Sequence, residues 1–195
     1  QCDSTSFHEP FRDTVLTLVN KGFSEASDVI NELEISVIFF SIVATLSEER
    51  AMGLFGELFF LSRHLGGPIS DRIQSWDGSD YSLSDFNWND LGFHVEVKAS
   101  GTQNTPLTHI ISSTNQLHSD EQRRLALFSM SSRRDAGGDT SLSDLVNEIE
   151  AEIAKSGNPA DRLAFFEKLV EYGWSPNQAD MRYLVDETLI GLYDI

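Results

Sequence analysis

Asp85, Glu96 and Lys98 are the residues of this chain whose types and spacing could do chemistry. Phe93, Val95 and Val97 alternate with His94, Glu96 and Lys98, the period of a half-buried strand. Residues two apart on a strand share a face, so Glu96 and Lys98 point the same way. Leu83 to Trp88 reads as the strand before it, with Asn89-Asp90-Leu91-Gly92 as the turn between them. If Trp88 and Phe93 close that turn as a pair, Asp85 lies opposite Glu96, with Cβ atoms about 4.5–5.5 Å apart. A slip of one residue would send Asp85 to the other face. Two facing carboxylates repel unless positive charge lies between them. A hard divalent cation suits them: Mg²⁺, with Mn²⁺ as its substitute. Such an ion lowers the pKa of a bound water and binds a phosphate oxygen. Lys98 could position that water and offset charge on a pentavalent phosphate. The set fits phosphodiester hydrolysis.

The surrounding elements must hold that hairpin. Helical spacing predicts a first helix from about Glu9 to Lys21, carrying Phe11, Val15, Leu18 and Val19, with Gly22 as a stop. Ser27 or Asp28 caps a second, through Val29, Leu33, Val37 and Phe40. Thr45 and Glu48 fit the N-cap and N3 positions of a third. It runs through Met52, Phe55, Leu58 and Phe59 to Leu65, before Gly66-Gly67-Pro68. Ile69 to Gly78 reads as turn chemistry around Trp76. After the hairpin, Gly101 to Pro106 is a loop, His109 to Ser113 a short third strand and Leu125 to Met130 a fourth. Ser141 caps a helix through Leu142, Leu145, Val146, Ile149 and Ile153, ended by Gly157. Asn158 and Pro159, at N-cap and N1, start another that stops at Gly173. The tail after Met181 reads as one or two strands. Helices, then strands, then helices predict a mixed α/β fold, with helices on both sides of a small sheet. Repeated βα units are missing, which argues against a doubly wound nucleotide fold. The expected organisation is one domain over residues 1–195: helices to 67, the sheet over 68–132, helices and tail over 133–195.

Composition narrows the function. The 195 residues are 40% hydrophobic, 10% aromatic and 23% charged, an ordinary globular balance that excludes disorder as the whole answer. With 14 Lys and Arg against 31 Asp and Glu, the net charge is -17. Such a chain will not coat nucleic acid non-specifically, because phosphate binding needs basic surface. A single cysteine, Cys2, excludes an internal disulfide framework and a cysteine-built zinc site. A reduced cytoplasmic setting is the simplest expectation. The most apolar run, Ile35 to Leu46, is too short to span a membrane and reads as a buried helix. The chain opens on Gln1 without a basic n-region, so no signal peptide is expected, and a fragment of a longer chain is. Gly-rich phosphate loops, a nucleophile elbow and zinc-binding helices are all missing from the sequence.

Asp85 followed by Glu96-Val97-Lys98 resembles the PD-(D/E)XK nuclease superfamily, the restriction-endonuclease-like fold. Gly53-Leu54-Phe55-Gly56-Glu57-Leu58, Trp76, Asp85-Phe86, Val95 to Lys98, His109 to Ser113 and Gln116-Leu117 are together similar to a bacterial family of PD-(D/E)XK-like proteins. The resemblance is firm from Gly53 to Leu117 and loose in the flanking helices. It implies Asp85 and Glu96 as metal ligands, the Val97 carbonyl as a third and Lys98 as the catalytic lysine. Glu57 would be the helix acid that some branches add to the metal site, and Gln116 a supporting glutamine. Ser84 stands where the superfamily pattern has proline, which lowers the specificity of the match. The resemblance also implies a Mg²⁺-dependent DNA endonuclease of bacterial or phage restriction or defence, with a homodimer or partner subunits as open arrangements.

Blander readings stand beside these. Glu-x-Lys also describes a solvated strand face. Glu57 could be an ordinary polar helix position, yet Phe55, Leu58, Phe59, Phe60 and Leu61 surround it, and an acid there is either paired or costly. His109 and His118 read as strand-end or surface histidines, and Trp76, Trp88 and Trp174 as core or turn anchors. Arg123-Arg124 and Arg133-Arg134 bracket the fourth strand and could touch phosphates, or be loop-end charges. A catalytically silent nuclease-fold subunit acting through partners is the alternative that the acidity favours. A metal-free hydrolase using paired acids would leave Lys98 without a role.

Overall fold

The computed structural model describes residues 46–78, 84–101, 107–109, 124–175 and 181–195, with isolated positions between 12 and 36. Those isolated positions are all helical, but Ala26 is helical already, so the second helix does not begin at the expected cap, Ser27 or Asp28. Val15 and Leu33, expected on the apolar faces, are exposed, and Ile35 is buried. The rest of that stretch lies outside the described residues, as do Thr45, Leu83, Arg123, Gln116 and all but one residue of the expected His109–Ser113 strand.

Helix α1 spans Glu48–Phe59. Its N-cap is Ser47, not Thr45: Ser47 is extended, and its hydroxyl accepts from the Arg50 N–H at 3.2 Å. A serine three residues before that amide satisfies an orphan donor of the first turn, and Glu48 and Glu49 lie where the helix dipole favours acids. The helix widens into a π turn over Phe60–His64, closed by the Leu65 N–H on the Phe60 carbonyl at 2.9 Å. Ile69–Ser75 forms a second helix, α2, where turns were expected. Ile69 and Ile73, four apart, give it one buried stripe. Trp76 follows it and forms a β-bridge with Phe86.

Five strands make one mixed sheet in the order β1-β2-β3-β5-β4. They are β1 Phe86–Trp88, β2 Phe93–Ser100, β3 Arg124–Arg134, β4 Thr140–Ser141 and β5 Arg182–Asp194. The hairpin register is the expected one, with Trp88 opposite Phe93 and Phe86 opposite Val95. Asn89–Leu91 is a 3₁₀ turn, and Gly92 after it takes the left-handed conformation, φ 57°, that a side chain would resist. β3 runs parallel to β2, with Glu96 beside Leu127 and Lys98 beside Ser129. A parallel neighbour needs a crossover of about a dozen residues or more, and the segment after Gly101 supplies it. β5 is a single strand whose register against β3 shifts between Ser129 and Ser131. That irregularity explains why its alternation is weak in the sequence.

Helices α3 (Leu142–Ser156) and α4 (Pro159–Tyr172) have the expected caps. Ser141 and Asp144 form a capping box, Asn158 caps α4, and Gly157 and Gly173 end the two helices at φ 73° and 97°. Helices lie on both sides of the sheet, as the element order predicted.

The core positions the hairpin. Val95, Val97 and Phe86 are buried on the face covered by α1. Phe60 meets Phe86 at 5.0 Å and Phe128 at 4.7 Å between ring centroids, so it ties β1 and β3 together under β2. A Cβ on Gly56 would sit 3.0 Å from Ala99 Cβ and 3.3 Å from Val97 Cγ1. The helix therefore rests directly on β2 at Gly56, which brings the next residue, Glu57, to the strand that carries Glu96 and Lys98. Among the described residues, no helix is long and apolar enough to cross a membrane.

Candidate active site

The hairpin ladder stops at Phe86 opposite Val95. The Asp85 carboxylate then does what a continued strand would have done: its Oδ2 accepts the Val97 N–H at 2.6 Å. This side-chain bond anchors Asp85 beside Glu96. One backbone donor leaves the carboxylate most of its lone pairs. Lys98 Nζ lies 2.6 Å from Glu96 Oε1. Glu96 is buried, with 2% of its side chain exposed, while Lys98 keeps 22%. The ammonium thus covers the buried acid and reaches outward.

Glu57 sits behind this group, with a donor on each carboxylate oxygen. Trp76 Nε1 donates to Oε2 at 2.7 Å and the Tyr172 hydroxyl donates to Oε1 at 2.9 Å. Arg50 secures the far end of this clamp. Its guanidinium donates to the Tyr172 carbonyl at 2.8 Å and lies over the Tyr172 ring at 5.3 Å.

Burial raises the Glu57 carboxyl to about 7 even against its two donors, with the nearby Glu96 charge adding to the rise. Asp85 is pushed well above the carboxylate range, first by burial and then by the charges of Glu57 and Glu96; the Val97 N–H and Lys98 pull the other way. Tyr172 is raised by burial and by Glu57, so its hydroxyl stays a donor. Fully ionised, the three acids would carry an excess of negative charge that Lys98 alone does not neutralise, and their mutual repulsion is part of what holds protons on Glu57 and Asp85.

That excess fits a hard cation chemically, because every donor is an oxygen. Asp85, Glu96 and the Val97 carbonyl are the groups that could hold one. Among the described residues, no three His, Cys, Asp or Glu side chains cluster closely enough to form a metal cage. Such an ion would therefore keep several waters, as Mg²⁺ does. Both Glu57 oxygens are already engaged, so Glu57 stands as a support behind the ligands.

A family model described as "Putative PD-(D/E)XK family member" matches residues 3–191. The chain belongs to this family. No curated protein and no solved structure matches it. Membership covers nearly the whole chain, beyond the Gly53–Leu117 stretch whose motifs carry the resemblance.

Among the described residues, the candidate arginines do not converge on the site. Arg124 opens β3, exposed, 4.0 Å from Asp194. Arg133 and Arg134 close the same strand, paired with Asp135 at 2.9 Å and Glu48 at 3.3 Å. Ten residues of extended chain separate Arg124 from Arg134 by about 33 Å, so the two groups flank Lys98 at opposite ends of the sheet. Arg123 and Gln116 lie outside the described residues.

Three participants were not assigned from sequence. Trp76 is fully buried and was expected as an anchor, but it is also a donor to Glu57. Tyr172 closes the same clamp from α4. His109 comes within 2.6 Å of the Ser129 hydroxyl. The one sequence signal was the apolar surround of Glu57, which demanded a partner without naming it.

Proposed function

We propose that this protein is a metal-dependent phosphodiesterase acting on DNA, an endonuclease of a bacterial or phage defence system. The observation that carries the reading is the anchored Asp85, one residue before β1, beside the Glu96–Lys98 pair of β2, the hairpin between them being in the predicted register. Family membership supports the nuclease class.

Asp85, Glu96 and the Val97 carbonyl would hold Mg²⁺ or Mn²⁺. Such an ion supplies a Lewis acid at the phosphate and a water of lowered pKa. Lys98, aligned by Glu96, orients the attacking water and offsets charge that develops on the phosphate oxygens. The Val97 amide keeps Asp85 from turning away, and Glu57, clamped by Trp76 and Tyr172, holds α1 in register behind the acids. With a net charge of -17, little of the affinity for DNA comes from the chain's overall field.

The test is nicking and linearisation of supercoiled plasmid in Mg²⁺ or Mn²⁺. The wild type should cut, and Glu96→Ala and Lys98→Ala should each lose at least about 100-fold, the scale for removing a group that stabilises transition-state charge. Variants that cut like the wild type would refute the assignment. A silent subunit is the second reading, favoured by the acid-paired Arg133 and Arg134. Mn²⁺ calorimetry separates the two: a silent subunit shows no ion binding that depends on Asp85 and Glu96.

A further inference from the structure

His109 reaches the site from the crossover between β2 and β3. Lys98 and Ser129 are directly opposite in the parallel register, so their side chains share the face that carries Glu96. Ser129 is buried at 4% exposure, and its hydroxyl lies 2.6 Å from His109 Nε2. The imidazole is thereby fixed beside Lys98 by a buried partner. Among the described residues, its polar contact is through Nε2 alone, which leaves Nδ1 for another group.

The state of the ring follows from its surroundings. Burial, and then the Lys98 ammonium, lower the His109 pKa, so the ring is neutral near pH 7. A neutral imidazole has one donor and one acceptor nitrogen. If Nε2 accepts the Ser129 hydroxyl proton, Nδ1 carries the ring proton and is a donor. Beside Lys98, a donor is what an anion requires. A phosphodiester has two non-bridging oxygens, and the arginines that could serve the second are at the ends of β3.

We propose that His109, fixed by Ser129, is a phosphate-binding residue of this site, donating from Nδ1 to a non-bridging oxygen of the phosphate that Lys98 addresses. This rests on the phosphodiesterase reading for its place in catalysis, but the phosphate contact can be tested without it. Long-range ¹H–¹⁵N spectra report each imidazole tautomer, and loss of signals in His109→Gln identifies this ring. Inorganic phosphate titrated at constant ionic strength should give a saturable shift at His109 Nδ1, with the proton on that nitrogen. Ser129→Ala should mix the tautomers and weaken the shift. A proton resident on Nε2, or an Nδ1 signal indifferent to phosphate, would overturn the proposal even in a protein that cuts DNA. Cleavage gives the second readout. His109→Ala should lower kcat/KM about 10- to 100-fold, the worth of a hydrogen bond to a charged oxygen, with unchanged Mn²⁺ affinity. Full activity in His109→Ala would also overturn it. If the wild type cuts nothing, the nuclease reading falls, and the phosphate titration still decides the role of His109.

Discussion

Raising the pH should destabilise this protein through its buried carboxyl groups, and Glu57 is the one whose share can be isolated. Its folded pKa is about 7 against an ordinary 4.5, a rise caused chiefly by burial. The folded chain therefore holds this proton more tightly than the unfolded chain does. Below about pH 4.5 the group is protonated in both states and its contribution to stability is fully present. Between there and pH 7 only the unfolded chain releases the proton, so the contribution shrinks, and above 7 it is gone. At about 1.36 kcal/mol per pKa unit the whole rise is worth about 3 kcal/mol. About 2.5 kcal/mol of that falls between pH 5 and pH 8. The perturbation is Glu57→Gln, neutral throughout and able to accept from one of the two donors. Urea unfolding of both proteins, in EDTA, at pH 5 and pH 8 gives the measurement. The stability of the wild type relative to the variant should drop by about 2.5 kcal/mol across that range. His64 and His109, whose lowered pKa values work in the opposite direction, are present in both proteins and cancel, while Asp85, raised partly by the Glu57 charge, is raised less in the variant and so adds to the drop in the same direction. A difference that stays constant with pH would refute the assignment of a raised carboxyl to Glu57.

Two further outcomes follow from the same geometry. Gly56→Ala places a methyl 3.0 Å from Ala99 Cβ, so α1 must lift from β2. The expected cost is about 1–3 kcal/mol in urea unfolding, with weaker Mn²⁺ binding as Glu96 and Lys98 shift. Unchanged stability would mean that the contact is soft. Trp76→Phe removes the indole donor from Glu57. It should cost up to about 1.4 kcal/mol more at pH 8, where the carboxylate is ionised, than at pH 5, because with a folded pKa of about 7 a larger loss would simply protonate the carboxyl. An equal cost at both pH values would mean that the indole acts by packing alone.

The sequence by itself determined whatever depends on near neighbours in the chain. The alternation from Phe93 to Lys98 defined β2, and the turn ending at Gly92 fixed a register that places Asp85 beside Glu96. Ser141, Asn158, Gly157 and Gly173 marked helix ends because caps act over three or four residues. Where two local solutions compete, the sequence misled. Ser47 and Thr45 are both good caps, and only Ser47 takes the role. Helix α2 is seven residues long, too short for its period to stand out beside the turn residues after it.

Tertiary structure alone decided the partners. Trp76 and Tyr172 meet Glu57 from 19 and 115 residues away, and no periodicity encodes a contact of that span. Ser129 falls beside Lys98 because β3 returns parallel to β2, a pairing set by the crossover and not by either strand's own pattern. Arg124, Arg133 and Arg134 were expected to flank a strand over Leu125–Met130, but the strand is eleven residues long, includes all three and carries them to its opposite ends. The acids of the site were visible from local pattern because a strand alternates every two residues. Their electrostatics depend on burial and on charges delivered by distant segments, which only the folded chain brings together.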